Sequence, residues 1–274
     1  MTHRPIFVTS LRTPKLGNSE DECEDALAVW PATAAEEAVA GDRLIAAVSD
    51  GASESALAKD WSKTLVRELV DRARIDPSVL AGSRETFAAL AADLVRGWDS
   101  YLEEYVAGRA RDGRPVQWYE EPKFERGAFA TLLAVQVERA ADDGYRWQAA
   151  ALGDSCLIQI RDGQLLTSFP LTDQQDFGTT PNLFGSRNRD SELITARTRF
   201  ATGTLQEGDD LFLATDAMAA WILGLGEELS AELAELTDRT RPNDLKGFEE
   251  WVTSLRMAGR LHNDDVALIH IDVA

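Results

Sequence analysis

The sequence predicts an α+β fold in which antiparallel sheets pack together with helices outside. Three observations point there. Strand-like runs fall into two blocks separated by two long amphipathic helices. Within the second block the strands follow one another at hairpin spacing, and Arg161-Asp162-Gly163 is a strong tight-turn signal. Alternating βαβ units with helical crossovers of roughly 10–15 residues are missing, which argues against a doubly wound parallel sheet. The 274 residues allow one large domain or two small ones. No internal repeat, low-complexity tract or Gly/Ser-rich linker divides the chain.

The elements are expected in this order. Strands run over Ala26–Trp30 and Arg43–Ser49, with the insertion Pro31–Asp42 between them. The segment Ala56–Arg74 spaces Leu57, Trp61, Leu65, Leu69 and Ala73 four apart, which makes one apolar stripe on a helix. Ser83–Ala107 repeats the pattern with Phe87, Leu90, Leu94, Trp98, Leu102 and Tyr105, with Ser83 as N-cap and Glu85 in the first turn. A polar stretch, Gly108–Arg126, leads to strands at Ala128–Val137, Tyr145–Leu152, Cys156–Ile160 and Gln164–Ser168. Residues 169–189 then form an irregular, flap-like segment, long for an ordinary connection. Strand-like Leu193–Phe200, a strand at Leu211–Ala214, short helices, a helix near Asp244–Met257 and a last strand Val266–Asp272 complete the chain.

Charge narrows the function classes. Forty-seven acidic side chains against 28 basic ones give a net charge of −19, which argues against nucleic acid and anionic membranes as partners. A hydrophobic fraction of 44% excludes a disordered acidic tail. No apolar run approaches a membrane span, and the N-terminus lacks the apolar core of a secretion signal. Cys23 and Cys156 match no zinc or redox spacing and are expected to be free thiols, which fits a cytoplasmic protein. His3, His262 and His270 are too scattered for a histidine metal site, and His270 reads as structural. Most tryptophans sit on apolar faces and read as core.

Four short segments share one design, an apolar strand with a carboxylate at its tip. They are LIAAVS before Asp50-Gly51, QAAALG before Asp154-Ser155, LFLAT before Asp216-Ala217, and Asp264-Asp265 before VALIHI. In an antiparallel sheet the end of one strand lies beside the start of the next, so all four can meet at one rim, with Glu24-Asp25 joining them. Carboxylates so gathered repel one another unless protonated or neutralised by metal. Oxygen ligands without His or Cys suit Mg²⁺ or Mn²⁺, and a pair of such ions can activate water against a phosphoryl group. The alternative is that each Asp simply caps a turn.

In this order the motifs resemble the metal-dependent protein phosphatases of the PP2C type, especially the bacterial ones. The matching landmarks are Glu24-Asp25 in CEDALAV, Asp50-Gly51 in AVSDGAS, GAFATLLAVQV, Gly153-Asp154-Ser155 in ALGDSCLIQIRDG, Asp216 in LFLATDAM, and Asp264-Asp265 in NDDVALIHI. The resemblance runs from about residue 17 to 272 and implies a single domain over residues 1–274, an α-β-β-α sandwich with a metal centre at one end. It implies two Mn²⁺ or Mg²⁺ ions held by Asp50, the Gly51 carbonyl, Asp216 and Asp264, with Asp265 as their neighbour. Glu24 and Asp25 would hold metal-bound waters, and Asp154 would serve a third ion. The implied reaction is hydrolysis of Ser/Thr phosphomonoesters on proteins by in-line attack of a metal-activated water. Phosphorylated proteins, with an opposing Ser/Thr kinase, are the implied partners. The oligomeric state is open.

Three positions depart from the family pattern. Glu20 stands where the family has a phosphate-gripping Arg, and Arg12 or Lys15 would have to replace it. Ala52-Ser53-Glu54 follows Asp50-Gly51 and offers no His as general acid. Ala217 replaces a Gly, which strains the chain only if that residue needs a positive φ. Within the flap, Asp173 and Asp176 are candidate outer ligands of a third metal, and Arg187 and Arg189 candidate phosphopeptide contacts. The loss of the Arg also admits a catalytically silent binding or regulatory module. A haloacid-dehalogenase-like phosphatase fits poorly, since DxDxT after a strand is absent.

Overall fold

The computed structural model describes residues 5–32, 37–140, 144–178, 181–240 and 244–274. His3, residues 33–36 of the Pro31–Asp42 insertion and residues 179–180 of the flap lie outside them. Sheet one holds β1 (Ile6–Thr13), β7 (Cys156–Arg161), β8 (Gln164–Phe169), β11 (Asp210–Ala214) and β12 (Val266–Val273), in the order β1-β12-β11-β7-β8. Sheet two holds β2 (Ala26–Trp30), β3 (Arg43–Ser49), β5 (Leu132–Arg139), β6 (Tyr145–Leu152) and β10 (Arg199–Leu205), in the order β10-β6-β5-β3-β2. A short pair, β4 (Phe129–Ala130) with β9 (Phe184–Gly185), stands apart. Every pairing is antiparallel, as the strand order predicts.

The two sheets face each other, and helices cover both outer faces. Strand β3 shows why its sequence is almost unbroken in apolar residues. Leu44, Ala46 and Val48 point into the layer between the sheets with Leu133, Val135, Leu213, Ile269 and Ile271. Ile45 and Ala47 point the other way, under α1 (Ala58–Ile75) and α2 (Arg84–Arg111), against Trp61, Leu65, Phe87 and Trp98. A strand buried on both faces needs apolar residues at every position rather than at alternate ones. On the far side Ile158, Phe212 and Leu268 lie beneath α5 (Asp216–Gly224), α6 (Leu229–Thr240) and α7 (Leu245–Met257), packed with Trp221, Phe248 and Trp251.

Local signals place most boundaries. The Ser83 hydroxyl accepts from the Thr86 N–H and starts α2 as an N-cap. Asp162 and Gly163 both have positive φ, the conformation that a two-residue hairpin turn needs between β7 and β8. His270 is buried on β12, where Nδ1 meets Thr240 Oγ1 at 2.7 Å and Nε2 meets Asp210 Oδ1 at 2.8 Å, so its role is structural.

Three expectations change. Leu193–Phe200 is not one strand: Ser191–Arg197 forms a helix, α4, and only Arg199 onward is strand. The Asp190 carboxylate accepts from the Leu193 N–H and caps this helix, while Ile194 and Thr195 are its buried pair. The N-terminal run IFVTSLRT, unassigned from sequence, is β1, which pairs with β12 along its whole length. The polar stretch before β4 also closes on a short helix, α3 (Glu121–Arg126).

Candidate functional site

Each predicted carboxylate sits where a strand of the sandwich ends or begins. Asp50 follows β3, and its segment is pinned to the start of β5 by three bonds. Ser49 Oγ donates to the Thr131 carbonyl at 2.6 Å, the Asp50 N–H to Thr131 Oγ1 at 2.9 Å, and the Thr131 N–H to the Asp50 carbonyl at 2.8 Å. Thr131 Oγ1 also meets Ser155 Oγ at 2.7 Å, which fixes the β6–β7 turn carrying Asp154. That turn needs Gly153: φ is +119°, and a Cβ there would stand 2.7 Å from Thr131 Cβ. Gly51 is equally constrained, since a Cβ would lie 2.8 Å from the Glu24 carbonyl oxygen and 3.0 Å from the Ala58 backbone. Asp50 and the Glu24 backbone are thus held against one another.

Sheet one supplies the other half. Asp216 opens α5 directly after β11, where the Ala217 N–H donates to its Oδ1 at 2.6 Å. Ala217 lies inside the helix and is not among the residues with positive φ, so a side chain there carries no backbone strain. Asp25 is 1% exposed and accepts from Thr215 Oγ1 at 2.8 Å; that hydroxyl accepts in turn from the Ala267 N–H at 2.9 Å. This chain links the lead-in to β2 with β11 and β12 across the two sheets. Asp264 and Asp265 precede β12. Asp264 Oδ1 accepts from the Asp265 N–H at 2.9 Å and lies 3.7 Å from Lys15 Nζ. Asp265 turns inward, where Oδ1 accepts from the Lys15 N–H and Oδ2 from the Glu24 N–H, both at 2.8 Å. Glu24 accepts a hydrogen bond from the Ser53 hydroxyl.

The electrostatics follow from burial and crowding. Burial first, then the charges of Asp216, Asp154, Asp264 and Asp265, hold the Asp50 carboxyl well above the usual carboxylate range. Burial and Asp50 do the same to Asp25, outweighing the Thr215 hydrogen bond. Asp216 is raised by burial and Asp264, although His262 and the Ala217 N–H favour its charge. Burial and Asp216 push Asp154 up to about 6. Glu24 is raised chiefly by burial. Lys15 is raised as well: burial opposes its charge, but Asp264, Asp265 and Glu24 outweigh that.

These residues suit a hard divalent cation. The rim's acids offer carboxylate oxygens, the ligand type Mg²⁺ and Mn²⁺ prefer. Asp154 Oδ1 is buried without a hydrogen-bond partner, which is costly for a carboxylate lacking a counter-charge. Cys23 and Cys156 are free and buried, and burial pushes both thiols up to about 12, so neither supplies a thiolate. Among the described residues, no three His, Cys, Asp or Glu side chains are drawn into a ready-made metal cage. The carboxylates repel one another across the rim without converging.

The remaining candidates take other places. Arg12 Nη1 donates to the Asp25 carbonyl at 3.2 Å and Nη2 pairs with Glu20 at 2.9 Å. The acid at the family's Arg position therefore engages the arginine expected to replace it. Asp173 caps a single 3₁₀ turn by accepting from the Gln175 N–H at 2.8 Å, and Asp176 accepts from the Asp173 N–H at 3.2 Å. Asp176 also lines a pocket beside Asp154. Arg189 pairs with Asp99 of α2 at 2.9 Å, and Arg187 packs beside Gly127; both line a separate groove along α2 and α3. Sequence reasoning missed the inward role of Asp265 and the tie made by Thr131, whose signals lie in contacts between distant segments.

A family model described as Protein phosphatase 2C matches residues 18–256. The chain belongs to this family. No relative among curated protein sequences matches it. Solved structures of similar fold include the catalytic domain of the serine threonine protein phosphatase PstP in complex with two manganese ions, 18% identical over 99% of each chain, with a TM-score of 0.52. A bacterial serine phosphatase is 12% identical over 97% of each chain, with a TM-score of 0.58. The photosystem II phosphatase PBCP is 17% identical over 98% of this chain and 99% of its own, with a TM-score of 0.52. At these identities the likeness is one of fold: two antiparallel sheets flanked by helices. Among the described residues, no helix is long and apolar enough to cross a membrane.

Proposed function

We propose that this PP2C-family protein is a phosphoprotein phosphatase that hydrolyses Ser/Thr phosphomonoesters with two Mn²⁺ or Mg²⁺ ions and, at higher occupancy, a third. The observation that carries the reading is the rim of Asp25 and Asp154, both buried, with Asp50 and Asp216, both half-buried, whose pKa values are all raised by desolvation and mutual repulsion. Asp50, Asp216, Asp264 and the Gly51 carbonyl would hold the ion pair, with Glu24 and Asp25 in the outer sphere. Asp154, with Asp176 near it, would serve the third. When bound, the ions supply a water of lowered pKa and positive charge against the phosphoryl oxygens.

The chain's own residues position the reaction. Thr131 and Gly51 fix the Asp50 segment. Asp265 holds the Lys15–Glu24 segment to the start of β12. The Lys15 ammonium lies 3.7 Å from Asp264 and is the cation that would orient the incoming phosphate, because Glu20 already engages Arg12. No His follows Gly51, so solvent protonates the departing Ser/Thr oxygen. The partners are phosphoproteins and an opposing Ser/Thr kinase, in a cytoplasmic setting.

The test is hydrolysis of p-nitrophenyl phosphate and a phosphothreonine peptide with and without Mn²⁺ or Mg²⁺. Turnover should need the metal, and Asp50→Ala or Asp216→Ala should remove it while circular dichroism stays native. Metal-independent turnover, or full activity in both variants, refutes the proposal. A second reading, a catalytically silent PP2C-like module, draws on the Arg12–Glu20 pair and the absence of a ready-made cage among the described residues. Calorimetry separates the two: Mn²⁺ binding accompanied by turnover removes the silent module.

A further inference from the structure

Beside Asp154 lies a polar pocket of about 190 Å³, walled by the flap at Pro170, Leu171 and Asn182 and by two arginines, Arg197 and Arg199. They sit at the junction of α4 and β10. Arg199 Nη1 donates to the Pro170 carbonyl at 3.0 Å, which anchors it to the flap. The Arg197 guanidinium has no hydrogen-bond or ion-pair partner among the described residues. Other arginines near the site are committed: Arg12 to Glu20, and Arg256 to the Pro14 and Asp264 carbonyls.

Resting on the phosphatase reading above, we propose that this pocket selects phosphopeptides carrying a second anionic group, a carboxylate or another phosphate, near the phosphoresidue. Size, charge and place all favour such a ligand. The volume is below the roughly 300–1,000 Å³ of a whole small-molecule site, so it suits one side chain of a larger substrate. Guanidinium groups bind carboxylate and phosphate through paired N–H donors. A chain of net charge −19 repels an acidic peptide at long range, so recognition needs local cations. Asp154 and Asp176 share the pocket wall and offset the arginines in the free chain. With divalent ions held at the rim these acids would be neutralised, and the two arginines would leave the pocket cationic. A lysine-flanked peptide would then meet repulsion.

The experiment compares three phosphothreonine peptides, flanked by glutamate, by a second phosphothreonine or by lysine. The proteins are the wild type, the double variant Arg197→Ala/Arg199→Ala and the double variant Arg197→Lys/Arg199→Lys, all with Mn²⁺. The expected result is a wild-type preference of about tenfold in kcat/KM for either anionic peptide over the lysine one, carried by KM. The alanine pair should erase it and the lysine pair should restore part. The glutamate and phosphothreonine arms show whether a carboxylate suffices or a phosphate is required. Equal rates on all three peptides in the wild type, or a preference that survives the alanine pair, overturn the proposal. If the wild type fails to hydrolyse even p-nitrophenyl phosphate, the phosphatase reading has failed. Fluorescence anisotropy with the same labelled peptides then decides the pocket: tighter binding of the anionic ones, lost in the alanine pair, supports it, and equal binding refutes it.

Discussion

Replacing Asp154 by Asn should make the metal-free protein more stable at neutral pH. Asp154 is 6% exposed, one of its oxygens has no partner, and burial with the nearby Asp216 lifts its carboxyl from 3.8 to about 6. A folded-state pKa above the unfolded one means that this group favours folding while protonated. Its contribution is whole below about pH 4 and is lost as pH rises through 6. A rise of about two units at ~1.36 kcal/mol each sets the cost of ionised Asp154 at neutral pH at roughly 3 kcal/mol. Asn keeps the shape and cannot ionise, so that cost disappears, less the smaller one of burying an amide. For a chain of this size the gain corresponds to a Tm increase of roughly 6–12 °C. The assay is urea and thermal unfolding of both proteins in EDTA at pH 7.5 and pH 4. The Asn variant should be the more stable at pH 7.5, with the gap closing at pH 4. Saturating Mn²⁺ should narrow or reverse the gap, since the ion stabilises whichever form binds it better. An Asn variant no more stable than wild type at pH 7.5, or equally favoured at both pH values, would refute the idea that the rim stores repulsion.

Other perturbations test the parts around it. Asp265→Ala removes two hydrogen bonds to a buried carboxylate and should cost roughly 3 kcal/mol in urea unfolding, while Asp265→Asn, which keeps one acceptor, should cost about half. Lys15→Ala should raise KM for a phosphopeptide several-fold and change kcat little, as steady-state kinetics would show; unchanged KM would remove Lys15 from phosphate binding. Gly51→Ala drives a methyl against two backbone segments and should lower stability by roughly 1–3 kcal/mol, with weaker Mn²⁺ binding by calorimetry.

Much of this fold was legible because local rules and burial agree. Strands β2, β3 and β6 fall where the apolar runs place them. Positive φ at Asp162 and Gly163 matches the hairpin read from those residue types. Leu193–Phe200 misled because a seven-residue helix with one buried pair has too few apolar positions to separate a period of 3.6 from one of 2. β1 escaped because its eight residues resemble many short polar-apolar runs, and only the distant β12 gives it a partner. At the candidate site, acids at strand tips were visible as residue types following apolar strands. Which acid faces the rim was not. Asp264 and Asp265 are adjacent in sequence, yet one lies near a lysine ammonium while the other holds two backbone amides from a distant segment. Likewise the pairing of Arg12 with Glu20 depends on how the chain folds back after β1.

The pairing of β1 with β12 also bears on the order of events during synthesis. Ile6 is matched with Val273, so β1 waits for β12, far later in the chain, before its hydrogen bonds can form. Asp264 and Asp265, which immediately precede β12, are themselves late additions. A growing chain can assemble β2, β3, β5 and β6 with α1 and α2 early, because those elements all lie between Ala26 and Leu152. Sheet one, and with it half of the carboxylate rim, must wait. Such long-range closure slows folding and leaves β1 an unpaired edge in the meantime. Divalent-ion binding should therefore appear late on the folding path, as a marker that both sheets have closed.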